Sequence, residues 1–343
     1  MRVPLLLLAC LPVLACPAQL EKKVAKVTKA LQDRKPYQAI RVCNAVLSDE
    51  PDEGRFLVLR AQANNRISSF YKAMADADKA FLSGDVTIRA GAAREKGIAW
   101  YGLGNMDSAV VMLNMARSMM EDADVPYHLG LVRKANGETE QALALFEEAV
   151  KLEADHYGAL RERGSMLALL GDSTGALRDL DRAIKIAPRD PVNHNSRGFY
   201  GHAHFGHHRR AIQDYNKAIK LNPNYGYAFN NRGWSRYSIG EVDKAVKDIR
   251  LAGRKNPENA YVQRNMGVIM LAKGNKEAAC MHFKLALEMG FTQRYGDEVG
   301  TLYTEHCDGP APVAPVSKGQ APTGGEPVKG NAPGGTERRG NAP

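Results

Sequence analysis

Residues 230–245 read Asn-Asn-Arg-Gly-Trp-Ser-Arg-Tyr-Ser-Ile-Gly-Glu-Val-Asp-Lys-Ala, and three of them recur along the chain at a fixed distance. Gly233 belongs to the series Gly130, Gly164, Gly198, Gly233 and Gly267, whose steps are 34, 34, 35 and 34. Gly240 belongs to Gly137, Gly171, Gly206, Gly240 and Gly274, with steps of 34, 35, 34 and 34. Ala245 belongs to Ala142, Ala176, Ala211, Ala245 and Ala279, which step identically, as do Ala149, Ala183, Ala218, Ala252 and Ala286. Independent series with one period mark a tandem repeat, in which no unit buries its apolar face without a neighbour.

Each unit reads as a pair of helices. Gly164 and Ala176 are small where paired helices must approach. Gly171 or Gly240 ends the first helix and permits the turn. Ala176, Leu177, Leu180, Ala183 and Ile184 fall at helical spacing and form the inward stripe of a second helix. Pro188, Pro223 and Pro257 close three of the units, because proline biases its predecessor out of the helix.

On these residues the chain resembles the tetratricopeptide repeat family. Asn230-Asn231-Arg232-Gly233-Trp234, Ser238-Ile239-Gly240, Lys244-Ala245 and, one unit earlier, Leu221-Asn222-Pro223 carry the likeness. It implies an all-α, right-handed solenoid of about eight helix-turn-helix repeats with a C-terminal capping helix. The units fall at about 20–53, 54–87, 90–122, 123–156, 157–190, 191–225, 226–259 and 260–293, the first three degenerate. Residues 294–307 read as the capping helix. Beyond Asp308 the chain is Pro, Gly, Ala and Asn with scattered charges, a composition that buries too little apolar surface to order itself.

The resemblance also implies a function, namely docking of a protein or peptide segment in a concave groove lined by the first helices. Counted from each unit's glycine, the residues expected to face that groove are Asn195, Phe199, His202, Tyr227, Asn230, Asn231, Trp234, Tyr237, Tyr261, Arg264 and Asn265. Asparagine both donates to and accepts from an extended backbone, and aromatic faces supply area at low entropic cost. The carboxylate clamp of the chaperone-binding members is not reproduced: Asn231 fits it, but Asn265 stands where an arginine is needed.

Three other features bear on function. One extra residue interrupts the period between Gly198 and Gly206, where insertions form π-bulges. The same stretch holds His202, His204, His207 and His208. His204 and His208 are therefore candidate metal ligands, although Gly206 lies between them and no Cys, Asp or Glu is local. Cys280 and Cys307 are a candidate disulfide in an oxidising compartment, and Cys43 reads as a small core residue. No His-Glu-x-x-His, Gly-x-Ser-x-Gly or phosphate-loop pattern is present, so the expectation is a non-enzyme without a cofactor.

Composition and the N-terminus complete the reading. The 343 residues are 44% hydrophobic and 25% charged, which excludes collagen, wholesale disorder and a polytopic membrane protein. The net charge of +9 is spread without a dense basic block, favouring acidic protein partners over nucleic acid. Residues 1–18 read as a signal peptide: one positive charge, then the uncharged run Val3 to Ala15. Val13-Leu14-Ala15-Cys16 resembles a bacterial lipobox, which makes Cys16 a lipidation candidate; cleavage after Ala18 is the alternative. The expected location is a cell envelope, as a periplasmic or outer-membrane lipoprotein or a secreted protein. Two rival functions stay open, a cytosolic adaptor or cochaperone with an uncleaved N-terminus and a metal-handling accessory protein using the 202–208 histidines. Partner identity and oligomeric state are not expressed in the sequence.

Overall fold

The computed structural model describes residues 17–307, so the apolar run, Cys16 and the tail from residue 308 lie outside the described residues. Among the described residues all regular structure is helical, and no helix is long and apolar enough to cross a membrane. The chain divides into two bodies, one through Met120 and one from Glu121.

The first body holds three helical hairpins: α1 (Pro17–Gln32) with α2 (Pro36–Asp49), α3 (Gly54–Arg66) with α4 (Phe70–Phe81), and α5 (Val86–Gly102) with α6 (Met106–Met119). The second begins with the fourth hairpin, α7 (Asp124–Ala135) and α8 (Thr139–Leu152), followed by α9 (Tyr157–Leu169) and α10 (Ser173–Ile186). Hairpin six is irregular. Its first helix, α11 (Pro191–Ser196), continues through a π-helical turn (Arg197–His202) and a 3-10 turn (Ala203–Phe205) before α12 (His208–Leu221). Hairpins seven and eight are α13 (Gly226–Ser238) with α14 (Val242–Lys255), and α15 (Ala260–Ala272) with α16 (Lys276–Glu288). The last elements are α17 (Phe291–Tyr295) and α18 (Glu298–His306).

Local chemistry sets these boundaries. Asp85 Oδ1 accepts from the Thr87 and Ile88 amides. This cap starts α5 at Val86, earlier than the repeat count places the third unit. Asp172 and Asn275 cap α10 and α16 in the same way. The first helices end at residues in the left-handed region, Gly171 at φ +89° and Gly240 at +84° among them. Hairpins one and two lack that glycine, and Arg34 and Ser68 each sit at φ 57° instead. An L-residue there carries strain of about 1–2 kcal/mol, which a glycine relieves while adding freedom to the unfolded chain. Ser68→Gly is therefore expected to stabilise the first body by up to about 1 kcal/mol, read from its denaturant midpoint.

In the second body the core is a spine of second-helix residues packed against first-helix glycines. Phe146, Leu180, Tyr215, Ile249 and Phe283 are fully buried. A Cβ on Gly233 would come within 2.7 Å of the Ile249 Cδ1 atom. The glycine is a packing requirement there, not a flexible joint. Cys43 is buried in the first body's core, and burial pushes its thiol up to about 12. It is left an inert apolar group.

The C-terminal cap differs from the single helix expected over 294–307. It is two helices, because Gly296 at φ +96° breaks the chain between α17 and α18. Phe291, Val299 and Tyr303 pack on Phe283, Ala286 and Leu287 of α16. A disulfide joins Cys280 of α16 to Cys307 beyond α18, with their Cα atoms 5.6 Å apart.

Candidate functional site

The candidate residues lie along the first helices of hairpins six to eight, which stand side by side. The side-chain amides bridge them: Asn231 Nδ2 donates to Asn195 Oδ1 at 3.1 Å, and Asn265 Nδ2 donates to Asn230 Oδ1 at 3.0 Å. Arg264 Nη1 donates to Asn265 Oδ1 at 2.9 Å, and the guanidinium also pairs with Glu298 at the start of α18. Asn195, Asn230, Asn265 and Arg264 are only 3–5% exposed. Their hydrogen-bonding capacity is directed at the seam between hairpins, where unpaired amides would be costly, and not at an incoming backbone.

The half-buried candidates form the accessible part. Trp234 is covered on one face by the Arg264 guanidinium, 4.3 Å from the ring centroid, and touches Tyr237 at 5.3 Å. A cation over an indole face is attracted by the ring quadrupole. Asn231 is partly exposed on the same helix, whereas Phe199 packs against Tyr200 and the Ala203, Ala211 and Tyr215 cluster of hairpin six. Tyr227 lies against Tyr225 at 6.0 Å, and Tyr261 joins Phe291 and Tyr295 in an aromatic cluster under the cap. The structure thus brings Asn231, Trp234, Tyr237 and Arg264 together and assigns Tyr261 to cap packing.

His202 departs from its expected place. The extra residue winds Arg197–His202 into a π-turn. The His202 ring is turned toward α12, with Nε2 3.7 Å from Asp214 Oδ2. Burial lowers its pKa from the ordinary 6.5, with Asp214 opposing. The metal candidates also part company. His204 bonds the Ala168 backbone, whereas His208 Nδ1 sits 3.4 Å from Ser235 Oγ, and Gly206 at φ +78° separates them. Among the described residues no three His, Cys, Asp or Glu side chains are grouped to hold a metal. His204 and His208 are thus engaged with different neighbours, Ala168 and Ser235.

Two polar constellations escape a reading that follows small residues. In the first, an arginine immediately before the helix glycine, or before Ala61, forms a two-pronged pair with an aspartate on the second helix. The pairs are Arg60–Asp76, Arg163–Asp179, Arg197–Asp214 and Arg232–Asp248. Arg197 and Arg232 also reach back to the preceding second helix, to Asp181 and Asn216. The signal was available: Arg163, Arg197 and Arg232 step along the chain in register with the glycines beside them. The second is a buried triad in hairpins four and five. Glu162 accepts from Lys134 Nζ at 2.6 Å and Arg161 Nε at 3.0 Å. Burial alone would raise the Glu162 carboxyl, but the two cations overcome it and hold it down at about 2.

Comparison with known proteins agrees with the geometry. A tetratricopeptide repeat family model matches residues 127–191 and 202–260, which supports that family for this stretch of the chain. No curated protein matches it by sequence. Among solved structures, a chain of the APC/C hetero-tetramer Cut9–Hcn1 superposes with TM-score 0.70 at 14% identity, covering 83% of this chain. The match covers 55% of that chain, so this protein spans about half the length of that relative. A tetratricopeptide repeat protein from Parabacteroides merdae gives TM-score 0.50 at 16% identity, over 84% of this chain and 98% of the other. Pseudomonas aeruginosa pilF gives 0.50 at 18% identity, over 64% and 98%. At these identities the likeness concerns the fold, an all-helical repeat solenoid.

Proposed function

We propose that this helical repeat protein is a non-catalytic scaffold that docks a protein or peptide segment along the first helices of hairpins six to eight, in a cell envelope. A tetratricopeptide array suits protein–protein interaction in general; the site and the location are our reading. The observation that carries the site is Trp234, a half-buried indole stiffened by Arg264 on one face and Tyr237 beside it. A rigid aromatic with a free face gives contact area without losing rotamer freedom on binding, which is how hot spots arise. Asn231 borders it, and its amide keeps its oxygen and one N–H for a ligand after donating once to Asn195. The expected partner segment is extended, apolar at the indole and acidic overall, since the chain's charge of +9 speeds encounter with acidic surfaces.

The envelope address rests on Val3 to Ala15 and on the lipobox-like Val13-Leu14-Ala15-Cys16. The Cys280–Cys307 disulfide favours the same address, since such bonds persist in oxidising compartments. Attachment in this reading is by acylation of Cys16. N-terminal sequencing with palmitate labelling decides it: a mature chain starting at an acylated Cys16 is expected, and an intact Met1 would make the protein a cytosolic adaptor. For the docking face, the test is crosslinked pulldown from native membranes with Asn231→Ala and Trp234→Ala together. The captured partner is expected to fall at least about tenfold, one hot spot being worth about 2 kcal/mol or more. Unchanged capture would reject the face.

A further inference from the structure

The second hairpin differs from the seventh in one way that opens a cavity. The two align at a constant offset: Ile40 matches Ile212, Asn44 Asn216, Arg60 Arg232, Ile67 Ile239, Lys72 Lys244 and Asp76 Asp248. The arginine pairs are the same in both. Arg60 grips Asp76 at 2.6 and 2.8 Å and reaches Asn44 at 2.8 Å; Arg232 grips Asp248 at 2.7 and 2.8 Å and reaches Asn216 at 2.7 Å. Of the lining positions that differ, Tyr37 on α2 stands where α12 has Arg209, and the other two carry short side chains in hairpin two. Asn64 stands where hairpin seven has Arg236, and Ala75 stands where it has Lys247. Arg236 closes on Asp248 at 2.8 Å, whereas Asn64 reaches Asp76 only at 3.4 Å. What remains is a cavity of about 430 Å³ between α2, α3 and α4. That volume is within the range of small-molecule sites.

We propose that this cavity binds a small amphiphilic monocarboxylate, an aliphatic body carrying one anionic group. Its walls are Ile40, Ile67, Ala75 and the ring of Tyr37, which is 73% exposed and has no protein cover over most of its surface. Its floor is already neutral, since Asp76 is closed by Arg60 and Asn64. The unused polar capacity at the rim is donor in character. Lys72 has no carboxylate partner among the described residues, and Asn44 spends its oxygen on Arg60, leaving its N–H groups free. An apolar wall with donors at one edge and no free acceptor charge selects an anion with an aliphatic tail over a cation or a neutral sugar.

The test is isoleucine-methyl NMR on the full chain titrated with N-acetyl-leucine, N-acetyl-leucinamide and acetate. N-acetyl-leucine is expected to shift the Ile40 and Ile67 methyls saturably. The amide, lacking the charge, is expected to bind about tenfold more weakly, and acetate, lacking the body, to leave both methyls unmoved. Ala75→Leu fills the wall without adding charge, and is expected to abolish the shifts while the other methyl resonances stay put. If that variant does not fold, Asn64→Leu makes the same test from the other wall. Unmoved Ile40 and Ile67 methyls, equal affinity for acid and amide, or binding that survives either filled variant would each overturn the proposal.

Discussion

Glu162→Gln is expected to cost the second body about 3–5 kcal/mol, the usual consequence of removing one member of a buried ion group. The loss comes less from the missing attraction than from what stays behind. Lys134 and Arg161 are both largely buried, and the neutral amide leaves Lys134 without its carboxylate and Arg161 with only the field of Asp190 and its hydrogen bonds to Asn193 and Tyr127. The urea midpoint of the second body reads the effect. Adding Lys134→Met to the same chain should recover part of it, because the second change removes the orphaned charge. A drop below about 1 kcal/mol would show that water reaches the triad and screens it.

Acid titration reports the same group. Its folded pKa of about 2 lies below the ordinary 4.5, so the stabilisation is fully present above pH 4.5 and is lost as pH falls from there toward 2. Glu162→Gln should flatten that limb of the stability profile. An unchanged acid limb would assign it to the exposed carboxylates.

Removing the disulfide has an effect of similar size confined to the cap. The bond joins cysteines 27 residues apart in sequence. Closing a loop of that length is worth about 3.5 kcal/mol on the chain-entropy account. In Cys280→Ala with Cys307→Ala, the amides of α18 should exchange with solvent roughly 300-fold faster, the same free energy expressed as an opening equilibrium. Helices α7 to α14 should keep their protection, since stability in a repeat array is largely a sum over neighbours. The change should also reach the proposed docking face. Glu298 opens α18 and pairs with Arg264, which covers Trp234, so loosening the cap frees the guanidinium from its carboxylate. Exchange in α18 that stays unchanged would mean that Phe291, Val299 and Tyr303 hold the cap by packing alone.

The repeat was legible because glycine and alanine carry it. A position where a Cβ would strike Ile249 or Phe283 admits few residues, and the turns at φ +78° to +89° admit fewer. Both constraints leave a periodic trace. The same logic placed the irregularity of hairpin six, where one surplus residue between Gly198 and Gly206 emerges as a π-turn. The proposed docking face was legible only by position. Spacing places Asn195, Asn230 and Asn265 on the inner side of their helices, but an amide one helix away competes with any ligand, and the sequence does not say which wins. Neighbour beats solvent here, because an unpaired buried amide costs more than a bridging hydrogen bond gains from being offered outward. The arginine–aspartate pairs were missed for a simpler reason: attention to apolar and small residues passes over a charged series of the same period. The break in the cap was written in Gly296, though a single glycine at the edge of an array has no repeated counterpart to flag it.

The arginines that reach two second helices at once tie the fate of one hairpin to the next. Arg197 clasps Asp214 in its own hairpin and Asp181 in the one before, and Arg232 does the same with Asp248 and Asn216. Hairpins five, six and seven are thereby riveted into a block that should melt together. Hairpins four and eight carry Leu129 and Met266 where the rivet would stand. The rivets end there: hairpin four is tied to hairpin five through Lys134 and Glu162 instead, and hairpin eight can fray without undoing the block.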